Sequence, residues 1–384
     1  MKLFDKHNIH ELTTAYMEKH TLIFDKSIQI WIELIQHSIQ RYIQNIDCDI
    51  RLLVDKDLAL PIVIPNAQYD NSYVCSPYAQ YIKYGYREID IELKDKPLYR
   101  KTSKNILALF EKITNRDTFD NVIFVNNWLV STNLYPSINV DQIHRVKAFL
   151  IEKFPNKAII FRSISEVLNP AVCQILESEG FQKIVSRQVY IVDPKKEIYK
   201  KKKAFKEDLR LSRKRKEYTW IKSTDLTREE IERVKKFYDD LYIQKYSIIN
   251  PQFTYSFFEK SIQKKWLSYL FLKKGNQIEA CFGYINKNGI MTSPIIGYNF
   301  ELPQKVGLYR LISLEIVREG VRKNLIIHSS SGASHFKKVR GAESSFEYNL
   351  VFYDHLSFKH KIPWRTLMGL TKYVAEPILK QFEL

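Results

Sequence analysis

Ile295-Ile-Gly-Tyr-Asn-Phe-Glu-Leu-Pro-Gln-Lys-Val-Gly-Leu-Tyr309 is the stretch on which the reading of this chain turns. An apolar strand runs into Gly297, and a polar loop ends at Gln304-Lys-Val-Gly-Leu-Tyr309. An apolar-periodic pattern then predicts a helix near Gly307 to Arg322. A helix N-terminus presents unpaired N–H groups and the positive end of the dipole, so an anion can rest there. A plain helix start with no ligand is the simpler alternative.

Upstream, three strand-like runs precede that loop. Trp266–Leu272 and Ile278–Asn286 flank Lys273-Lys-Gly-Asn276, and Asn288-Gly289, a tight-turn signal, leads into Ile290–Tyr298. A helix over Thr227–Gln244 is expected before them, opened by Thr227-x-x-Glu230 as a capping box. Downstream come a short strand Asn324–His328, a helix near Ala333–Val339 and a strand Glu347–Tyr353. The first half alternates in the same way. Helical patterns cover Ser27–Gln44, Lys101–Ile113 and Asp141–Phe154, and strand-like runs cover Arg51–Val54, Leu60–Ile64, Asn121–Val125 and Lys157–Arg162. The order predicts an α/β protein with mixed sheets. A weak repeat relates the halves: Gly180 precedes Val189-Tyr-Ile-Val192 by the same nine residues that separate Gly341 from Leu350-Val-Phe-Tyr353.

At 384 residues the chain suits two domains. The balance of 45% hydrophobic and 27% charged residues excludes a disordered or fibrous chain. No apolar run reaches the roughly 18 to 20 residues that cross a bilayer, and the N-terminus lacks the apolar centre of a secretory signal. The cytoplasm is the expected compartment. Cys48, Cys75, Cys173 and Cys281 form no C-x-x-C pair, so neither a zinc site nor a disulfide framework is expected. No metal site is expected at all.

The net charge of +17 favours a polyanionic partner or a phosphate-bearing co-substrate. Between Lys195 and Lys222, 13 Lys/Arg face 4 Asp/Glu. This run reads either as a solvated linker helix or as a phosphate-contacting surface. Nine of the eleven glycines lie beyond residue 195, so the second half is better equipped for close backbone approach to a ligand.

Gln304-x-x-Gly307 resembles the Gln/Arg-x-x-Gly-x-Gly/Ala loop with which GNAT acyltransferases hold the acyl-CoA pyrophosphate. Tyr309 stands where that pattern has a small residue. His328-Ser-Ser-Ser-Gly-Ala-Ser-His-Phe-Lys-Lys-Val-Arg-Gly-Ala342 resembles the small-residue turn, aromatic-Lys pair and glycine of the FemAB-like and cellulose-biosynthesis-associated GNAT subfamily, with Phe336 in place of the usual Tyr. The basic Leu211-Ser-Arg-Lys-Arg-Lys216 stretch before a strand and a long helix is similar too. About 135 residues, Tyr218 to Tyr353, carry the likeness.

The resemblance implies two tandem GNAT-like domains, each a mixed, mostly antiparallel sheet flanked by helices. The expected bounds are a degenerate N-terminal domain over 1–194, a basic linker or helix over 195–217, an acyltransferase domain over 218–356 and a tail helix over 357–384. It implies acyl transfer from acyl-CoA or acyl carrier protein to an amine or hydroxyl acceptor. Gln304, Lys305, Val306, Gly307, Leu308, Tyr309 and Lys337 would hold the donor. For proton transfer His328 and His335 are the candidate bases, because imidazole titrates near neutrality, and Tyr298 is the candidate donor to the leaving thiol. Each has an ordinary alternative as a loop, helix or strand residue. Two rival readings stay open. One is a FemAB-type ligase drawing on aminoacyl-tRNA, with Lys195–Lys216 on the RNA. The other is a non-catalytic binding protein on a GNAT scaffold, to which Tyr309 and Phe336 lend weight.

Overall fold

The hairpin signals are where the structure is easiest to follow. Asn288 and Gly289 take φ of 49° and 76°, the left-handed pair that a two-residue turn requires, and the strands on either side pair antiparallel from Ile290↔Lys287 onward. The computed structural model describes residues 1–12 and 26–382. It has the α/β architecture with mixed sheets that the element order predicts.

Along the first half run β1 (Lys2–Phe4), α1 (Lys26–Gln36), β2 (Cys48–Asp55), β3 (Leu58–Pro65), α2 (Tyr84–Glu92), α3 (Pro97–Ile113) and β4 (Val122–Val125). These are followed by α4 (Val140–Lys153), β5 (Ala158–Ile164), α5 (Pro170–Ser178) and β6 (Gln182–Val192). The near-continuous apolar runs of β3, β4 and β5 are buried on both faces, as a sheet covered by helices demands. α4 starts on a reciprocal cap: Asn139 Oδ1 accepts from the Gln142 amide at 2.9 Å, and the Asn139 amide donates back to Gln142 Oε1 at 3.0 Å. The helix expected over Ser27–Gln44 ends at Gln36, and a short 3-10 turn follows at Ile39–Arg41.

The second half continues with α6 (Lys203–Lys214), β7 (Tyr218–Ile221), α7 (Arg228–Tyr238), α8 (Tyr255–Gln263), β8 (Ser268–Lys274), β9 (Gln277–Lys287) and β10 (Ile290–Tyr298). Then come α9 (Leu308–Lys323), β11 (Ile326–His328), α10 (Ser334–Lys338), β12 (Glu343–Phe352), α11 (Phe358–Leu370) and α12 (Glu376–Phe382). Thr227 and Glu230 form the predicted capping box at the start of α7. That helix widens into a π-helix over Asp239–Tyr246 instead of running on as α-helix. α8 carries no signal that the sequence reading recognised.

The chain divides into two compact units. One holds Met1–Ser186, Ile249–Pro251 and Phe346–Leu384; the other holds Arg187–Ile248 and Gln252–Ser345. In the first, β1 to β4 form an antiparallel meander, β5 lies parallel to β4 after the α4 crossover, and β12 closes the edge antiparallel to β5. In the second, β7 to β10 form an antiparallel meander, and β11 lies parallel to β10 after the α9 crossover. There the end of β6 closes the edge, antiparallel to β11.

The two plans are the same, and their last strands are exchanged. β6 follows the first unit's helices yet its Val192 end belongs to the second unit, while β12 does the reverse. Domain limits of 194 and 356, drawn along the sequence, do not follow this exchange. The weak repeat is the mark of it, because Gly180 and Gly341, at φ of 88° and 94°, each precede one of the exchanged strands. The tail groups with the first unit, where Trp364 and Leu367 are buried and the Trp364 ring lies 4.5 Å from that of Phe119. The side chain of Phe382, and residues 383–384, lie outside the described residues.

Each unit has its own apolar core. Leu60, Ile62, Ile159, Phe161, Leu176 and Leu350 centre the first. Phe282, Met291, Leu311, Ile312, Leu314 and Ile327 centre the second.

Candidate active site

In the second unit two parallel strands separate. β10 pairs with β11 over three residues only, Ile290–Thr292 against Ile326–His328. Its register with β9 then shifts between Thr292 and Ile295, at Ser293-Pro294, where proline offers no amide to a ladder. β10 runs on to Tyr298, while the chain beyond His328 stays with β6: the Ser329 amide donates to Tyr190 O at 2.8 Å and the Tyr190 amide to Ser330 O at 3.2 Å. A fork opens with His328 and Thr292 as its last paired residues, both buried.

The loop leaving the fork is tightly wound, with Ser330, Gly332 and Ala333 at φ of 58°, 75° and 50°. One side chain fastens it. Lys337 Nζ donates to the carbonyls of Ser329 (2.7 Å), Ser330 (3.3 Å) and Ser331 (2.8 Å) and lies 5.3 Å from the Tyr190 ring centre. Burial, with the charge of Arg187 added, pushes the Lys337 ammonium down to about 7, and the three carbonyls act the other way by bonding the charged form. Lys337, expected on a phosphate, therefore spends its donors on the loop. His328, expected as a base, takes the Ser330 amide on Nδ1 at 3.1 Å. His335 is exposed on α10 with no side-chain hydrogen bond among the described residues.

The expected donor loop forms a 3-10 turn over Gln304–Val306, and Gly307 caps α9 at φ 81°. Gln304 and Lys305 are exposed, Val306 and Tyr309 are part-buried, and Gly307 and Leu308 are buried. What covers the glycine is α6. A Cβ at Gly307 would stand 2.6 Å from Leu211 Cδ2, and the φ of 81° favours glycine by itself, so the cap and the helix over it account for this glycine without a ligand. Arg215 holds the same turn through the carbonyls of Val306 (3.3 Å) and Lys305 (3.0 Å). Buried Asp208, one helical turn before Leu211, accepts from Arg310 Nε and Arg340 Nε, each at 2.6 Å. A fixed carboxylate thus stands against the two arginines beside the start of α9. Of the donor residues, Gln304 and Lys305 remain open to an anionic group.

Tyr309, the departure from the small residue, belongs to an aromatic row. The Tyr298 and Phe300 rings stack at 4.5 Å, Tyr298 and Tyr309 lie at 5.9 Å, Tyr309 and Phe336 at 4.8 Å, and the Arg340 guanidinium sits 3.5 Å over Phe336. Burial raises both phenols, Tyr298 and Tyr309, with Tyr246 adding to it. Both therefore keep their protons at neutral pH, as a hydrogen-bond or proton donor must. The row brings together three residues singled out in sequence, Tyr298, Tyr309 and Phe336.

Sequence reasoning missed Asp208, Leu211, Arg215, Arg310 and Arg340 as parts of this site. One signal was present: Asp208 falls on the face of α6 shared by Phe205 and Leu209, where a solvated helix has no use for an acid. Among the described residues no group of three or more His, Cys, Asp or Glu is placed to hold a metal ion, and no helix is long and apolar enough to cross a membrane.

No protein-family model and no curated protein matches this chain. Solved structures similar in layout include the C-terminal domain (DUF2156) of a putative lysylphosphatidylglycerol synthetase from Agrobacterium fabrum, with TM-score 0.43, 11% identity, and 65% of this chain and 82% of that chain covered. FemX gives TM-score 0.43 and 10% identity over 60% of this chain and 81% of its own. A tandem GNAT protein from the clavulanic acid biosynthesis pathway gives 0.38 and 8% over 87% and 91%. All three fall below a TM-score of 0.5, so any functional reading stands on this chain's own residues.

Proposed function

We propose that the second unit transfers an acyl group from acyl-CoA or acyl carrier protein to an amine or hydroxyl. The observation that carries the reading is the fork between β10 and β11. Acyl transfer needs a donor carbonyl laid beside fixed hydrogen-bond donors, with an acceptor held in line. A strand edge that loses its neighbour after three residues presents main-chain groups to such a carbonyl. Tyr298, at the far end of that strand, keeps its proton and can give it to a departing thiolate. Gln304 and Lys305, the exposed part of the Gln304–Tyr309 turn, would take the donor's phosphate.

The test is titration calorimetry with CoA and acetyl-CoA against the intact chain. Micromolar binding is expected, weakened at least about tenfold by the pair Gln304→Ala and Lys305→Ala, about 1.4 kcal/mol. Binding of neither compound, or binding indifferent to the pair, overturns this reading.

A second reading, transfer from aminoacyl-tRNA, has one specific feature in its favour. Lys201, Lys202, Lys206, Arg210, Arg213 and Lys214 are exposed and have no acidic partner among the described residues. Such a surface would bind RNA with an affinity that falls steeply with salt. Salt-sensitive binding of bulk tRNA with no heat from CoA would favour it over the first.

A further inference from the structure

A base at His328 would need a lone pair left open to the acceptor, and the hydrogen bond at Nδ1 bears on where that lone pair lies. A neutral imidazole carries one proton, and the nitrogen that accepts a hydrogen bond is the one without it. Nδ1 accepts from the Ser330 amide at 3.1 Å. The neutral ring therefore carries its proton on Nε2, and its only lone pair in the ring plane is already engaged. Such a ring cannot draw a proton from an acceptor through Nε2, but it can donate from there. Its backbone leaves no room to drift, since His328 is paired on both sides, to Thr292 of β10 and Ile191 of β6, and is buried.

The amide that sets this tautomer belongs to a strained part of the loop. Ser330 sits at φ 58°, where a residue with a Cβ is held only by its surroundings. Those surroundings are the Tyr190 main chain, bonded to the Ser329 amide and the Ser330 carbonyl, and the Lys337 ammonium, bonded to the carbonyl before Ser330, to its own and to the one after. An isolated loop of three serines has no reason to keep its middle amide aimed back at the preceding histidine.

We propose that Lys337 is a positioning residue that, through the Ser329–Ser331 carbonyls, holds His328 as an Nε2–H hydrogen-bond donor at the fork. Its partner is the carbonyl oxygen of the acyl group, on which negative charge grows as the acceptor adds. That partner rests on the acyl-transfer reading; the tautomer does not. A donor fixed before the reaction and shielded from water acts at its strongest on such an oxygen. The acceptor's proton must then leave by another group or by water.

The experiment is long-range proton–nitrogen correlation NMR on the full chain labelled with 15N-histidine, with His328→Gln to assign its signals. Free histidine already favours the Nε2–H form, and here its excess is expected to be roughly fivefold greater still, the added bias that one amide hydrogen bond gives. Lys337→Met, of similar length and without donors, should bring the ratio back to that of a free histidine. Adding propylammonium to Lys337→Ala should restore the excess, which a merely structural lysine would not do. A wild-type ring with its proton on Nδ1, or a tautomer ratio unmoved in Lys337→Met, overturns the proposal. The absence of CoA binding would overturn the acyl-transfer reading and leave these spectra as they are.

Discussion

At the scale of single residues, the chemistry of the second unit depends on which charges are spent internally. Lys337 faces three carbonyls and Asp208 faces two arginines, and neither commitment can be read from local spacing. Asp208 meets partners 102 and 132 positions further on; in the sequence it is one acid in a cationic run. Lys337 was visible as the lysine of an aromatic-Lys pair, but its three acceptors are backbone atoms, which no residue type announces. The lysine has a consequence for stability. Its ammonium is held near 7 in the folded protein, against about 10.4 in an unfolded chain. Between those values the unfolded chain binds the extra proton and the folded one does not, so stability should rise with pH across that window. The folded state bears the cost of the buried charge below it. Urea unfolding of wild type and Lys337→Met from pH 6 to 10 should show the difference between them shifting in favour of wild type as pH rises. Parallel curves would mean that the carbonyls keep the ammonium charged throughout.

At the scale of elements, local signals were the legible ones. Asn288-Gly289, the box of Thr227 and Glu230, and the apolar run ending at Tyr298 each act within a few residues, and each stands where the pattern predicts. α6 was legible as a basic stretch, and its inner face was not, because the groove it fills is built from the turn at Gln304–Val306 some ninety positions away. That fit gives a sharp expectation for Gly307→Ala. The new methyl meets Leu211 at 2.6 Å, and the backbone at φ 81° is strained for alanine. Together these should cost about 1 to 3 kcal/mol. Adding Leu211→Ala should recover the steric share and leave the backbone share, measured as midpoints of chemical unfolding. Full recovery would show that the left-handed cap contributes nothing. A loss confined to CoA binding, with stability unchanged, would return the glycine to the role its motif suggested.

At the scale of the whole molecule, the exchange of β6 and β12 overrides any boundary drawn along the chain. A cut after residue 194 gives one piece without β12 and another without β6. Each half should then expose an unpaired interior strand, β5 in one and β11 in the other, and aggregate when expressed alone. Co-expressed halves should recover a soluble 1:1 complex, read by size-exclusion chromatography with light scattering. Two independently soluble monomeric halves would show that the exchanged strands are dispensable. The exchange also sets a clock on biosynthesis. β5 leaves the ribosome long before β12 does, with about 180 residues between them, and translation at ~5 to 20 residues per second makes that roughly ten to forty seconds. Through that interval the edge of Ala158–Ile164, apolar but for Arg162 and Ser163, waits for a strand that has not yet been made. A pause in translation before β12 would lengthen the exposure, so the codons of the second half bear on the yield of the first.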